Sequence, residues 1–369
     1  MTRAAARPLW LATPSRYAGR SRLHARWLLA VLALLLLVSL ASPGNPGSAA
    51  VSAGSADQPT EILYDGIVED IRHGADYYSA AAQALRSAGA PMHPFFAIRL
   101  PTLSVAQAHL GQVTSALILY VLAVLTLFGW WNRLRAALPA RRVRIVAVLL
   151  AATGVASAIL GQLVATHDLW AGLIIALSLV SRRPGHWVTA AALGLSAALI
   201  RETAALYAII MMILALLEGQ RREATGWAAL LVIFAVVVAF HAQAVAGIVG
   251  PLDQPSPAWA GAAGFGFAIH AIVAATAWSL IPAAIGALVV TLSIAGWSAW
   301  RDPLATRALA TIAAQLLLMS FLGASDKVQW AFLIAPIVPV GMVFLPDALR
   351  DLSRAALDRR RITVTRTAA

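Results

Sequence analysis

The 369-residue chain is too apolar and too weakly charged to be a soluble protein. Hydrophobic residues make up 60% of it, charged residues only 12%, and the mean hydropathy is +0.77. Soluble globular domains average about 45–50% apolar and about 25% charged residues. The composition excludes a soluble enzyme, a disordered chain and a nucleic-acid-binding domain as descriptions of the whole chain, and it predicts an all-α polytopic membrane protein. The absence of cysteine excludes disulfides, cysteine-ligated metals and a thiolate nucleophile.

Apolar runs of roughly 20 residues, the length that a membrane-spanning helix needs, recur along the chain. The first, 27–43, follows a basic N-terminal tail (1–26) and precedes a long loop (44–111). Region 112–346 contains about nine more runs, and a basic C-terminal tail (347–369) follows. These later runs are 112–131, 145–165, 167–181, 186–200, 203–218, 226–249, 279–298, 306–323 and 328–346. The sequence therefore predicts a transmembrane helix bundle of about ten spans.

The distribution of basic residues predicts how the bundle is oriented. Most of the 28 Lys and Arg residues lie in the two tails or in alternate loops. The positive-inside rule makes these segments cytoplasmic, so both termini are expected inside and the 44–111 loop outside. The predicted outer loops hold Arg72, Arg86, Arg99, Arg201 and Lys327. The net charge of +12 therefore reflects topology, and no nucleic-acid partner is predicted.

The segment that follows the first span has two interpretations. Residues 48–53 also resemble a signal-peptide cleavage site, although the long basic segment before the apolar run favours an uncleaved span. With either interpretation, the loop that follows lies outside.

Asp76 begins a predicted helix within the first outer loop. An acid is favoured as the N-cap or in the first turn of a helix, and Gly89 followed by Pro91 is typical of a helix end. Tyr78 and Leu85 share one face with the alanines between them. The pattern predicts an amphipathic helix that lies on the membrane or against the bundle.

Five short motifs along the chain resemble a single family. They are Asp76 at the start of a helix bearing Tyr and Ala, His93-Pro94-Phe95-Phe96, Arg99-Leu100-Pro101-Thr102, His167-Asp168-Leu169-Trp170-Ala171-Gly172 and Asp326-Lys327-Val328-Gln329-Trp330. Together they resemble the GT-C superfamily of membrane glycosyltransferases, in particular its aminoarabinose-transferase and protein-mannosyltransferase branch. The usual pattern of that superfamily in the first outer loop is Asp-Glu-x-x-Tyr-Ala, whereas here Asp76 is followed by Tyr77.

The resemblance implies a fold, a location and a reaction. The implied fold is GT-C-like, and the implied location is the bacterial inner membrane, which the protein is expected to cross several times with its active site facing the periplasm. The implied reaction takes a sugar from a polyprenyl-phosphate donor, among membrane lipids, and transfers it to an envelope lipid, glycan or glycolipid acceptor. No cofactor is predicted, and a divalent metal is not indicated.

The chemistry of such a transfer needs a base for the acceptor hydroxyl and cations for the departing phosphate. Asp76 is the predicted catalytic base. Because arginine binds phosphate oxygens bidentately, Arg99 and Arg201, together with Lys327, are predicted to bind the donor. The further predicted substrate-binding residues are Glu69, Asp70, Tyr77, Tyr78, His93, His167, Asp168 and Glu202.

Each of these residues also has a purely structural interpretation. Asp76 can simply cap its helix, and Glu69–Asp70 is either the rival acidic site or a solvated loop charge. Arg201–Glu202 can form an ion pair at the end of a span. His167–Asp168 can bind an acceptor or a metal, or serve as a polar outer turn, and without a third ligand at defined spacing they predict no metal site.

Three further expectations concern residues within or beside the spans. His241 lies mid-span and is expected to be neutral and hydrogen-bonded to a neighbouring helix. Residues 264–277 are expected to form a second amphipathic outer helix. Trp130 and Trp131, with Trp297 and Trp300, are expected at the inner membrane interface as an aromatic belt.

The alternative function is a non-enzymatic membrane transporter or an accessory subunit of an envelope-assembly complex. The sequence has no internal repeat, which argues against a transporter built from inverted halves. Spans interrupted by Gly or Pro are few, although Pro336 and Pro339 fall within the last run. The long outer loop with its helix and the scarcity of mid-span charges favour the enzyme.

Overall fold

A computed structural model describes residues 8–41, 60–159, 163–255, 263–322 and 325–358, apart from the side chains at 60, 61 and 325–327. These residues are helical and form no strand, which confirms the all-α prediction. The candidate cleavage site at 48–53 lies outside the described residues. The helices are α1 (Arg22–Ala41), α2 (Thr60–Arg72), α3 (Tyr77–Ser87), α4 (Thr102–Leu110), α5 (Gln112–Arg133), α6 (Arg141–Val155), α7 (His167–Ser181), α8 (Val188–Ile200), α9 (Ala205–Leu217), α10 (Arg221–Ala246), α11 (Gly264–Ala275), α12 (Ala283–Trp297), α13 (Pro303–Leu322) and α14 (Leu345–Leu357).

Within the described residues, five helices are long and apolar enough to cross a membrane, as expected of a membrane helix bundle. They are α1, α5, α6 with its extension to Ile159, α10 and α13. Shorter apolar helices pack among them, and α7 is buried on every side from His167 to Val180. A helix that is apolar all round belongs in the core of a bundle. The amphipathic helix predicted from Asp76 is present as α3, which buries Tyr77, Ala81 and Leu85.

The last apolar run, predicted as a span over 328–346, is not an α-helix. Two 3-10 helices, Ser325–Leu333 and Val338–Phe344, flank a turn at Pro336. Proline lacks an N–H and clashes with the preceding helical turn, which explains the break. The indole N–H groups of Trp130 and Trp297 donate to the carbonyls of Pro336 (3.2 Å) and Ile337 (3.1 Å). Irregular backbone at membrane depth is tolerated where protein surrounds it.

Glycines bring three helices onto this last segment. A Cβ at Gly154 of α6, Gly172 of α7 or Gly296 of α12 would collide with a backbone carbonyl of the segment. Small residues allow backbones to approach closely in membrane bundles. The last segment therefore runs through the middle of the bundle, where Ile337, Val338 and Phe344 are fully buried.

Two expectations about the bundle surface are wrong. Trp130 and Trp297 do not form an interfacial belt, because both are fully buried and Trp297 packs against Phe344. Residues 264–277 do not form a surface helix, because α11 buries Ile269 and Ile272 between α13 and the Ser325–Leu333 helix. In both cases, residues that are distant in the sequence cover side chains that the local sequence pattern predicts to lie at the surface.

Ion pairs separate into two sets that match the predicted sides of the membrane. Within the described residues every ion pair joins two residues of the same predicted side. The predicted inner set contains Arg133–Asp302, Arg182–Glu223 and Arg307–Glu218, and the predicted outer set contains Arg86–Asp253, Arg99–Asp168 and Arg201–Asp168. This separation agrees with the alternation that the arginine pattern predicts.

Part of the predicted N-terminal tail is folded against the predicted inner end. The backbone N–H groups of Leu9, Trp10 and Leu11 donate to the carboxylate of Asp347, in the first turn of α14. Ser15 donates to Asp351 at 2.8 Å. Because Asp347 is fully buried, these N–H groups provide the hydrogen bonds that water would give to an exposed carboxylate.

Candidate functional site

Seven polar residues from five separate segments meet at the predicted outer end of the bundle. Arg99 lies just before α4, His167 and Asp168 begin α7, and Arg201 and Glu202 directly follow α8. Together with Tyr64 of α2 and Gln329 of the Ser325–Leu333 helix, they form what we call the outer cluster. The structure thus joins five of the residues that the sequence singled out: Arg99, His167, Asp168, Arg201 and Glu202.

Two buried arginines converge on the carboxylate of Asp168, which is fully buried. Arg201 Nε donates to Asp168 Oδ1 at 2.8 Å, and Arg99 Nη2 lies 3.7 Å from Asp168 Oδ2. Arg201 Nη1 also donates to Glu202 at 3.2 Å. Burial alone would lower the pKa of Arg201, but Asp168 and Glu202 more than offset it and raise that pKa. Arg201 therefore remains a cation in the cluster.

The guanidinium of Arg99 donates to neutral acceptors. Nη1 lies 3.2 Å from His167 Nδ1, and Nη2 donates to Gln329 Oε1 at 2.9 Å. The group also lies over the ring of Tyr64, 4.6 Å from its centroid. No carboxylate among the described residues accepts a hydrogen bond from Arg99, although Asp168 forms the longer ion pair.

Side chains from four elements hold the backbone that carries Arg99. Residues 98–100 lie between a 3-10 helix, Phe95–Ala97, and α4; the Ile98 N–H bonds back to Phe95 O, and side chains bind several of the other backbone polar groups. The contacts are His241 Nε2 to Ile98 O (2.9 Å), Arg99 N to Tyr64 Oη (3.2 Å), Tyr77 Oη to Arg99 O (2.6 Å) and Leu100 N to Glu202 Oε1 (2.7 Å). Such support from rigid elements preorganises a functional side chain.

Two of these supports are buried tyrosines of the first outer loop. Burial raises the pKa of Tyr64, and it raises the pKa of Tyr77 well above the ordinary value. Both phenols therefore stay neutral at physiological pH and keep the proton that a donor needs. Tyr77 was predicted to bind substrate, whereas in the structure its hydroxyl contacts the Arg99 carbonyl.

Three successive residues at the start of α7 have buried side-chain atoms without a hydrogen-bond partner among the described residues. The atoms are Thr166 Oγ1, His167 Nε2 and Asp168 Oδ2. His167 and Asp168 are fully buried, so the expectation of a polar outer turn is wrong. Buried polar atoms in native structures are nearly always paired, so a group of three is unusual.

Asp76, the predicted base, is the N-cap of α3 and lies outside the outer cluster. Its Oδ2 accepts from the backbone N–H groups of Tyr78 (3.0 Å) and Ser79 (3.2 Å). The residue is exposed, and Oδ1 has no hydrogen-bond partner among the described residues. A groove of about 680 Å³ runs along the same exposed face of the helix, lined by Ser79, Gln83 and Arg86.

Four other predicted site residues, Glu69, Asp70, Tyr78 and His93, also lie outside the outer cluster. Glu69 pairs with Arg72 on the exposed face of α2, beside the exposed Asp70. His93 is exposed and approaches Gly250 O at 3.4 Å. Tyr78 contacts His241, and Lys327 lies in a described helix although its side chain is outside the described residues.

Four contributors were not among the predicted site residues. Tyr64 and Thr166 carried no distinguishing signal, because a tyrosine or threonine near a helix end is common. Gln329 stands inside a motif that drew attention only for its charged residues. His241 was expected to bond to a neighbouring helix, and its ring contacts the hydroxyl of Tyr78 in α3 (3.2 Å) as well as Ile98 O.

Among the described residues no group of three or more His, Cys, Asp or Glu side chains is arranged to hold a metal ion. No family model matches the chain, and no curated protein and no solved structure is significantly similar to it.

Proposed function

We propose that the protein is a membrane glycosyltransferase. It transfers a sugar from a polyprenyl-phosphate donor to an envelope lipid or glycan acceptor, at the periplasmic face of a bacterial inner membrane. The observation that supports this proposal is the convergence of the buried Arg99 and Arg201 at one end of an apolar bundle.

A polyprenyl-phosphate sugar has two parts that this arrangement suits. Its chain is long and apolar and needs a lipid-like surface, whereas its phosphate is anionic and needs fixed cations. Arginine provides planar, paired N–H donors for phosphate oxygens and stays charged when buried. The outer cluster places such cations beside apolar helices.

Asp76 is the proposed base of the transfer. Its carboxylate takes the proton of an acceptor hydroxyl, whose oxygen then forms a bond to the anomeric carbon of the sugar. The bond from that carbon to the phosphate oxygen breaks, and polyprenyl phosphate leaves with the electron pair. The groove beside Ser79 and Gln83 offers hydroxyl and amide groups to a polyhydroxylated acceptor.

Deleting the gene in its own host and restoring it as variants tests the proposal. Envelope glycans and glycolipids are profiled by mass spectrometry after restoring wild type, Asp76→Asn, Arg99→Gln or Arg72→Gln. We expect deletion to remove a sugar-sized mass increment, which wild type and Arg72→Gln restore and the other two variants do not. Arg72 is the matched control because it lies in the same outer loop, on the exposed side of α2.

Asp76→Asn separates catalysis from capping. Asparagine caps helices as well as aspartate does, so α3 is preserved while the base is lost. If Asp76→Asn, expressed at the wild-type level, fully restores the sugar-sized mass increment, then Asp76 serves only as a helix cap. Glu69 and Asp70 would be tested next.

A transporter is the second candidate, and the broken last segment is the observation that favours it. Discontinuous helices within a bundle are typical of substrate sites in transporters, and Pro336 interrupts this segment. If deletion changes no glycan or glycolipid, the transferase proposal fails and transport assays take precedence.

A further inference from the structure

The N-terminus of α7 lacks the cap that its own sequence provides. Thr166 is the N-cap residue, and threonine at this position normally accepts a hydrogen bond from the first turn. Here its side chain makes no capping hydrogen bond, and Oγ1 is buried without a partner among the described residues. The hydroxyl is therefore available to another group.

The two residues that follow in the sequence also have unpaired polar atoms. His167 Nε2 and Asp168 Oδ2 are buried and also accept or donate no hydrogen bond within the described part of the chain. The first backbone N–H groups of a helix have no partner inside the helix, and the helix dipole adds positive potential there. Helix N-termini with free donors bind oxyanions.

Among the cationic groups of the outer cluster, only the guanidinium of Arg99 has no hydrogen-bonded carboxylate within the described residues. Glu202 is already bonded to Leu100 N and Arg201, and Asp168 is bonded through Oδ1 to Arg201. Among the side chains that the structure describes, Arg99 donates to His167 and Gln329, and the nearest carboxylate oxygen, Asp168 Oδ2, lies 3.7 Å away. A buried guanidinium without a hydrogen-bonded anion is energetically unfavourable.

We propose that a phosphoryl oxyanion binds at the N-terminus of α7, with Arg99, Thr166 Oγ1 and His167 Nε2 as donors. This inference rests on the proposed function and locates the phosphate of its donor. Because arginine can only donate, the Arg99 contact favours the His167 tautomer with its proton on Nε2. His167 Nδ1 also lies 3.0 Å from Ala165 O, a contact that favours the tautomer with its proton on Nδ1. An anion beside Nε2 would instead stabilise the tautomer with its proton on Nε2.

Binding measurements on the full-length protein in detergent test the site. The probes are a polyprenyl monophosphate, the matching polyprenol and inorganic phosphate, and the readouts are affinity and thermal shift. We expect wild type to bind the polyprenyl monophosphate at least ten-fold more tightly than the polyprenol. Inorganic phosphate that competes with the lipid supports a headgroup site, whereas binding of inorganic phosphate alone identifies a free anion as the ligand.

Two variants and two controls assign the binding to these residues. Arg99→Gln and the isosteric Thr166→Val are expected to weaken binding of the polyprenyl monophosphate at least ten-fold. Thr166→Val should not lower the melting temperature without ligand, because it removes a buried hydroxyl that has no partner. Arg72→Gln and Ser104→Ala are the controls, since Ser104 Oγ is also buried and unpartnered but lies in α4. Wild-type affinity in both test variants, or equal affinity for the polyprenol, overturns the proposal.

Asp76→Asn distinguishes this proposal from the transferase. It should leave phosphate binding unchanged while abolishing transfer. Phosphate-dependent binding without any glycan change on gene deletion would refute the transferase alone. A deletion that removes a glycan, in a protein with no phosphate-dependent binding, would refute the oxyanion site alone.

Discussion

Glu202 accepts a hydrogen bond from the backbone N–H of Leu100 at 2.7 Å, although the two residues are 102 positions apart. The contact joins the turn after α8 to the segment that carries Arg99. Glu202 also accepts from Arg201, so one carboxylate connects the backbone of Leu100, the residue after Arg99, to the side chain of Arg201. This carboxylate therefore fixes the position of Arg201 relative to Arg99, and these are the two proposed phosphate-binding cations.

Tyr77→Phe tests this support for Arg99. The substitution removes only the hydroxyl that donates to the buried Arg99 carbonyl at 2.6 Å. Leaving a buried acceptor unsatisfied costs about 1–3 kcal/mol, and we expect the free energy of unfolding in detergent to fall by that amount. Transfer activity should fall as well, because Arg99 loses its position. Tyr120→Phe is the control, since that ring lies exposed on α5, and an equal loss there would contradict the prediction.

Glu223→Gln tests the ion pairs at the predicted inner end. Arg182 donates to both oxygens of Glu223, at 3.1 and 2.7 Å, and both side chains are buried. Removing one partner of a buried pair typically costs about 3–5 kcal/mol. Chemical denaturation should show a loss of that size. The exposed pair Arg72–Glu69 provides the comparison, where Glu69→Gln should cost about 0–1 kcal/mol.

Gly172→Ala tests the close approach of α7 to the last segment. A Cβ at this position would collide with the backbone carbonyl of Phe332, which cannot move aside as a flexible side chain would. Overpacking of a core costs about 1–3 kcal/mol or more, and we expect a lower melting temperature and lower expression. Gly66→Ala is the control: it lies within α2 with no atom near the added Cβ. Since alanine is the better helix former by about 1 kcal/mol, that variant should be neutral or more stable.

The ion pair between Arg86 and Asp253 predicts how the outer loops respond to acid. Hydrogen bonds from Arg86 and from the Gly250 backbone hold the pKa of Asp253 well below its ordinary value of 3.8. A carboxyl whose folded pKa is depressed contributes stability above the unfolded pKa, and that stability is lost as the pH falls through the folded pKa. The hydrogen-exchange protection factors of the 247–254 loop, which compare its exchange with that of an unfolded chain at the same pH, should therefore be maintained at pH 4.

Arg86→Gln should move the midpoint of that loop's opening up towards pH 3.8, because the strongest stabilising contact of the Asp253 carboxylate is gone. An unchanged midpoint in the variant would show that Arg86 does not control this carboxyl.

Local patterns predicted the elements of the fold because they depend on near neighbours. Asp76, followed by an alanine-rich stretch and Gly89, specifies a capped helix, and α3 with its Asp76 N-cap is present. Proline chemistry explains the interrupted last segment, although the run was predicted as a span. The burial of Trp130 could not be predicted, because its neighbour Pro336 is 206 positions away.

The sequence by itself determined the helical class, the apolar character and the segregation of charge, since hydropathy, caps and arginine positions act over a few residues. Tertiary structure alone decided which polar residues meet. Arg99 reaches His167 across 68 positions and Gln329 across 230, and no local pattern encodes such pairings. Tertiary structure also leaves Asp76 exposed at the start of a helix, whereas Asp168 is buried between two arginines. The packing of the helices, rather than the residue type, determines which carboxylate is removed from water.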